Sequence, residues 1–167
     1  AIQKEVWNQL PKSLKSDLLN HIAYDYDTPG IFDPYVPTES MTSTYVNAYP
    51  NEHGPNCLSS TLFVAASISS GTLLDWIIKE WVHPTTFMNG LKQLGYKEAP
   101  LSKDAMFPHD ILVWRDKQER IVHASFHIDQ HYFFNKNGQT FFNPWKTVHM
   151  RELEEQWGMH TVKVYRK

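Results

Sequence analysis

The chain has 167 residues, 41% of them hydrophobic, and a formal net charge of −2. That suffices for one domain with a real core, is too apolar for a disordered chain, and lacks the basic excess of a nucleic-acid binder. A single cysteine excludes an internal disulfide and a Cys-rich zinc site, and no apolar run approaches a membrane span.

The first 56 residues form an N-terminal helix and a cleft-forming loop. Leu14, Leu18, Leu19 and Ile22 recur at helical spacing within residues 1–24, with a break at Pro11 and Ser13 placed to cap. Residues 25–56 carry Pro29, Pro34, Pro37, Pro50 and Pro55 with Gly30 and Gly54. Loops that long are usually functional or disordered. The aromatics Tyr24, Tyr26, Phe32, Tyr35, Tyr45 and Tyr49 argue for a packed segment that walls a cleft. The chain opens at Ala1 with no visible signal peptide, and the compartment stays open.

Residues 57–95 read as helices. The first starts at Cys57, turns Leu58, Leu62, Ala65, Ala66 and Ser69 to one side, and stops at Gly71. A second is expected over 72–81 with Leu73, Leu74, Ile77, Ile78 and Trp81 inward. His83-Pro84-Thr85 caps a third that ends at Gly95. Residues 96–167 change period. Strands are expected at 110–114, 121–129, 131–135, 139–143 and 160–165, with a short helix at 152–157. Along 121–129, Val122, Ala124, Phe126 and Ile128 alternate with His123, Ser125, His127 and Asp129. Helices followed by an antiparallel sheet make a single α+β domain over 1–167.

Cys57 sits where a polar, proline-broken segment enters an apolar helix. Unpaired N–H groups and the helix dipole there favour a thiolate, the nucleophilic form, and can cradle an oxyanion. The plainer reading is a small buried hydrophobe. A nucleophilic cysteine needs a base and a group that orients the base. His123 opens the polar face of the most regular strand and is the candidate base; its plainer reading is a strand residue without a partner. A hairpin at Asp129-Gln130 brings Asn135 alongside, where it can fix the imidazole tautomer. Asn143, in Phe142-Asn143-Pro144-Trp145, is the competing orienter.

Three stretches carry a resemblance: Asn56-Cys57-Leu58-Ser59, His109-Asp110-Ile111-Leu112-Val113-Trp114, and His123-Ala124-Ser125-Phe126-His127-Ile128-Asp129. Their order resembles the NlpC/P60 superfamily of papain-like cysteine peptidases and amidases, over about residues 45–140. The family's usual form is Asp-Cys-Ser-Gly, then Gly-Asp before a strand, then His-hydrophobic-Gly, with a further polar residue on the next strand. Here Asn56, His109 and Ser125 replace the Asp and the two glycines, and Asn135 stands at the further polar position, which marks a divergent branch. The resemblance implies a papain-like fold with helices on a small antiparallel sheet or half-barrel. It implies catalysis by Cys57, His123 and Asn135 without a cofactor or metal. Asn56 and an upstream tyrosine, Tyr45 or Tyr49, would line the oxyanion and substrate site. The implied substrate is a cell-wall peptide or an acyl amide, with a bacterial, secreted, envelope or cytoplasmic setting. Acyl transfer on the same site and a non-catalytic binding module on the same frame are the alternatives.

His123, His127 and His131 recur every four residues, which on a helix would suit zinc, but the local pattern is strand. Glu154-Glu155 and Asp25-Asp27 read as solvated pairs. Gly-x-Ser-x-Gly is absent, which argues against a serine hydrolase.

Overall fold

A computed structural model describes residues 4–26, 42–101 and 106–167. Tyr24, Tyr26, Phe32 and Tyr35, read above as cleft aromatics, lie outside the residues whose side chains are described. Two helices open the chain, α1 (Lys4–Gln9) and α2 (Lys12–Tyr26). Ser13 falls inside α2 rather than capping it, and Leu14 is exposed while Leu19 is buried.

Helix α3 (Cys57–Ser70) is the centre of the fold. Asn56 caps it: its Oδ1 accepts from the Ser59 N–H, while the Ser59 Oγ accepts from the Asn56 N–H. The two side chains satisfy donors that the first turn leaves orphaned. Gly71 ends the helix in the left-handed region at φ 67°, which glycine adopts without strain. Residues 58–67 are all buried, so α3 is enclosed on every side rather than amphipathic. Its uncharged composition fits that position.

The helix expected at 72–81 does not form; only one 3-10 turn, Ile77–Lys79, is present. Serine side chains turn the chain instead. Ser67 Oγ accepts from the Leu74 N–H, and Ser70 Oγ accepts from the Thr72 N–H. Such bonds compete with helix for the backbone donors. Ile77 and Ile78 face inward, whereas Leu73 and Trp81 are exposed. Helix α4 (Pro84–Gln93) follows, capped by the His83 ring.

Six strands complete the domain: β1 (Lys97–Ala99), β2 (Ile111–Arg115), β3 (Ile121–Asp129), β4 (Tyr132–Lys136), β5 (Trp145–His149) and β6 (Thr161–Arg166), with α5 (Met150–Trp157) between the last two. They form one sheet in the order β1-β6-β2-β3-β4-β5, and every described pairing is antiparallel. The strand expected at 139–143 is a turn, and β5 starts only at Trp145. There Thr140 N–H and Oγ donate to the Asn143 side chain, and Lys136 Nζ donates to the carbonyls of Thr140 and Asn143. These bonds take up the groups a ladder would need.

The sheet is covered on both faces. Ile111, Val113, Ala124, Phe126, Phe134, Trp145 and Tyr165 pack with α3. Leu112, Trp114, Phe133, Val148 and Val164 pack with Leu153 of α5. The chain is thus an α+β domain whose Cys-bearing helix lies on one face of an antiparallel sheet and whose last helix lies on the other. No helix among the described residues is long and apolar enough to cross a membrane.

Candidate active site

Cys57 is the first residue of α3, a free and partly buried thiol. Its sulfur lies near the backbone of Ala124, the residue after His123, which pulls the thiol pKa down. The β3–β4 ladder is paired from Phe126 to Asp129 and not beyond, so this segment of β3 is laddered on its β2 side alone. Backbone groups of Leu58 and Cys57 also point at the sulfur. The helix start therefore offers N–H donors to a thiolate or an oxyanion.

His123 is 1% exposed. Its ring lies on the α5 side of the sheet, stacked on Trp157 with centroids 4.3 Å apart and planes within 6°, and 5.4 Å from the Trp114 ring. Nε2 lies 2.7 Å from Asn135 Oδ1 and 3.3 Å from Ser125 Oγ. Among the described residues, the hydrogen bonds of His123 all use Nε2. The structure thus brings His123 and Asn135 together and sets Cys57 against the peptide that follows His123. It forms no hydrogen bond between Cys57 and the imidazole: the thiol packs on the α3 face of the sheet and the ring on the α5 face, against the expected direct pairing of nucleophile and base.

The ionisation differs from the sequence expectation of a thiol activated by the helix dipole. Burial pushes the Cys57 thiol up to about 11, against the pull of the Ala124, Leu58 and Cys57 backbone groups and the Lys136 charge. Burial likewise pushes His123 down to about 4, with the Asn135 bond opposing it. Desolvation outweighs the dipole and the hydrogen bonds at both groups. At neutral pH the resting pair is thiol and neutral imidazole.

The other expected residues have other partners. Asn56 is occupied at both ends of its amide: Oδ1 caps α3, and Nδ2 donates to the Val82 carbonyl at 2.9 Å. It holds the helix start, with one of its two Nδ2 hydrogens committed to Val82. Tyr45 packs edge-on against Phe63 and Trp145, and Tyr49 donates to Asn20 Oδ1 at 2.8 Å. Asn143 holds the β4–β5 turn, so the competition between orienters resolves to Asn135. The histidine series does not converge: His127 bonds to the carbonyls of Phe107 and Gln130, and His131 packs on His149. No metal-binding cluster occurs among the described residues. Asp110 of the Gly-Asp-like motif is buried and accepts from Arg166 Nε and Nη2 at 2.7 and 2.6 Å, a structural ion pair.

Compared with known proteins, the chain matches no family model, no curated protein and no solved structure. The NlpC/P60 resemblance therefore stands on the motif residues alone.

The sequence reading missed Ser125, Asn137, Trp157 and Lys136 as neighbours of this centre. Ser125 stood out only as a departure from glycine. Trp157 gave no signal, because the contact joins residues 34 apart in the chain. An open groove of about 750 Å³ lies between the start of α4 and the β2–β3 turn, and none of Cys57, His123 and Asn135 lines it. Its walls include Ile121 and Val122, which precede His123, and His83, which follows the carbonyl that holds Asn56. A second cavity of about 500 Å³ lies at the far end of α3, around Asp110 and Arg166.

Proposed function

We propose that this chain is a papain-like cysteine hydrolase, divergent from the NlpC/P60 pattern, that cleaves an amide bond through Cys57, His123 and Asn135. The observation that carries the reading is the junction at β3. A helix-start thiol lies near the backbone of the residue after a buried histidine, whose Nε2 is held by Asn135.

In this mechanism Nδ1 takes the thiol proton as sulfur attacks the substrate carbonyl. The carbonyl electrons move onto oxygen, which the Cys57 backbone N–H receives. The C–N bond then breaks and the imidazolium gives its proton to the departing amine. Water, deprotonated by Nδ1, attacks the thioester; the C–S bond breaks and the thiol is restored. Sulfur and the ring start on opposite faces of the sheet, so attack requires them to meet around the edge of β3 at Ala124, which β4 leaves unpaired. An amine in place of water would make the same site an acyltransferase.

A second reading has its own support. Both groups are neutral at rest and not bonded to each other, as in a binding module that keeps the frame without the chemistry. Cell-wall peptides and acyl amides offered to wild type and Cys57→Ala separate the two. The hydrolase reading expects cleavage by wild type and none by the variant. Binding in the groove by both proteins, with no cleavage by either, overturns it in favour of the module.

A further inference from the structure

We propose that Ser125 and Asn137 are positioning residues that clamp the Asn135 amide and so fix His123 as the tautomer with its proton on Nε2 and its lone pair on Nδ1. The proposal rests on His123 acting as the base described above, but the clamp can be tested without any substrate.

Four side chains form one buried row. Ser125 is fully buried, His123 and Asn135 are each 1% exposed, and Asn137 is buried beside them. Ser125 Oγ donates to Asn135 Oδ1 at 2.5 Å, and Asn135 Nδ2 donates to Asn137 Oδ1 at 3.0 Å. The two contacts orient the amide from both ends. Were the amide reversed, its oxygen would face the Asn137 oxygen, two acceptors in a dry interior, which costs about 1–3 kcal/mol for an unsatisfied buried group.

With the amide fixed, the proton on the imidazole is fixed too. A hydroxyl has one hydrogen to donate. Ser125 gives it to Asn135 Oδ1 at 2.5 Å, so its 3.3 Å contact with His123 Nε2 leaves the hydroxyl oxygen as an acceptor. Nε2 therefore faces two acceptor oxygens, those of Asn135 and Ser125, and must carry the hydrogen. Burial keeps the ring from taking a second proton near neutral pH. The remaining lone pair is on Nδ1, the nitrogen the hydrolytic steps require. A glycine at position 125 could not supply the hydroxyl, so the replacement of the family's usual residue becomes part of the orienting device.

Nitrogen-15 spectra of histidine-labelled protein at pH 7.5 give the tautomer directly. Wild type is expected to show His123 with a protonated Nε2 and an unprotonated Nδ1; the reverse overturns the proposal whatever the variants do. Ser125→Ala and Asn137→Ala are expected to shift the ring toward a mixture of tautomers. They should also lower kcat on the order of tenfold with KM little changed, as expected for a misdirected base. Ser125→Thr, which keeps the hydroxyl, is expected to restore the wild-type spectrum. Thermal unfolding of each variant separates a misdirected ring from a damaged core. An unchanged tautomer in both alanine variants overturns the clamp, as does an activity loss without a tautomer change. A wild-type tautomer that shifts on clamp removal, in a protein with no hydrolase activity, keeps the clamp and removes the hydrolase reading.

Discussion

His123 and His127 lie on the same strand and the same face, four residues apart, and each is 1% exposed. Their surroundings set them apart. His127 spends both ring nitrogens on backbone carbonyls, Nδ1 on Phe107 at 2.7 Å and Nε2 on Gln130 at 3.1 Å. It ties the segment before β2 to the β3–β4 turn. His123 has one nitrogen held by a side-chain network and, among the described residues, no hydrogen bond at the other. A buried histidine with both nitrogens committed is a strut, and the proposed reading makes the one held at a single nitrogen a base. Burial alone does not distinguish them; the partners of the two ring nitrogens do.

The largest expected effect breaks the comparison at its catalytic end. His123→Gln should lower turnover by roughly 10²–10⁴-fold, the usual contribution of a general base. His127→Gln should leave turnover per folded molecule within a few fold while lowering stability by about 1–3 kcal/mol, the cost of unpaired buried polar groups. Steady-state rates and urea unfolding on the same two variants check both halves.

The next effect is on stability against pH. His123 has a folded pKa of about 4 against an ordinary 6.5. Below 6.5 the unfolded chain takes up a proton that the folded chain refuses, so stability is full above 6.5 and falls toward pH 4. The loss reaches about 3 kcal/mol. Cys57 gives the mirror limb. Its folded pKa of about 11 lies above an ordinary 9.0, so stability is full below 9 and falls by about 3 kcal/mol toward pH 11. Denaturant melts across pH should lose the acid limb in His123→Gln and the alkaline limb in Cys57→Ala. An acid limb that persists in His123→Gln would assign it to another group.

A smaller effect separates the two asparagines. Asn135→Ala should retain partial activity, down roughly tenfold to a hundredfold, because an orienter acts through the base it positions. Asn143→Ala should leave kcat nearly unchanged and loosen the β4–β5 turn, seen as a lower melting temperature. Equal losses of kcat in both variants would return Asn143 to the site.

Much of this architecture was legible in the chain. Asn56 before an uncharged apolar run marks the start of α3, and Gly71 marks its end, because both act locally. The alternation along β3 and the tight turn after Asp129 placed Asn135 beside His123 by counting alone. Features set by contacts between distant residues were not legible. The apolar residues of 72–81 follow a helical period, yet the Ser67 and Ser70 hydroxyls capture the backbone donors a helix would need. Phe141 and Phe142 suggested a strand, but Asn143 and Lys136 close a turn across them. The thiol was expected to be acidic because the helix dipole is visible in sequence and its desolvation is not. Tyr45 and Tyr49 have the spacing of site residues, and their partners are Phe63, Trp145 and Asn20 instead.

The central claim is that Cys57 and His123 act as nucleophile and base. Intact-mass analysis of the protein mixed with an activated nitrophenyl ester tests it most directly, since such an ester needs no knowledge of the natural substrate. The account predicts an acyl adduct on Cys57 that forms and then decays in wild type, forms much more slowly in His123→Gln, and is absent in Cys57→Ala. No adduct on Cys57 in wild type, or adduct formation at the same rate in His123→Gln, would contradict it.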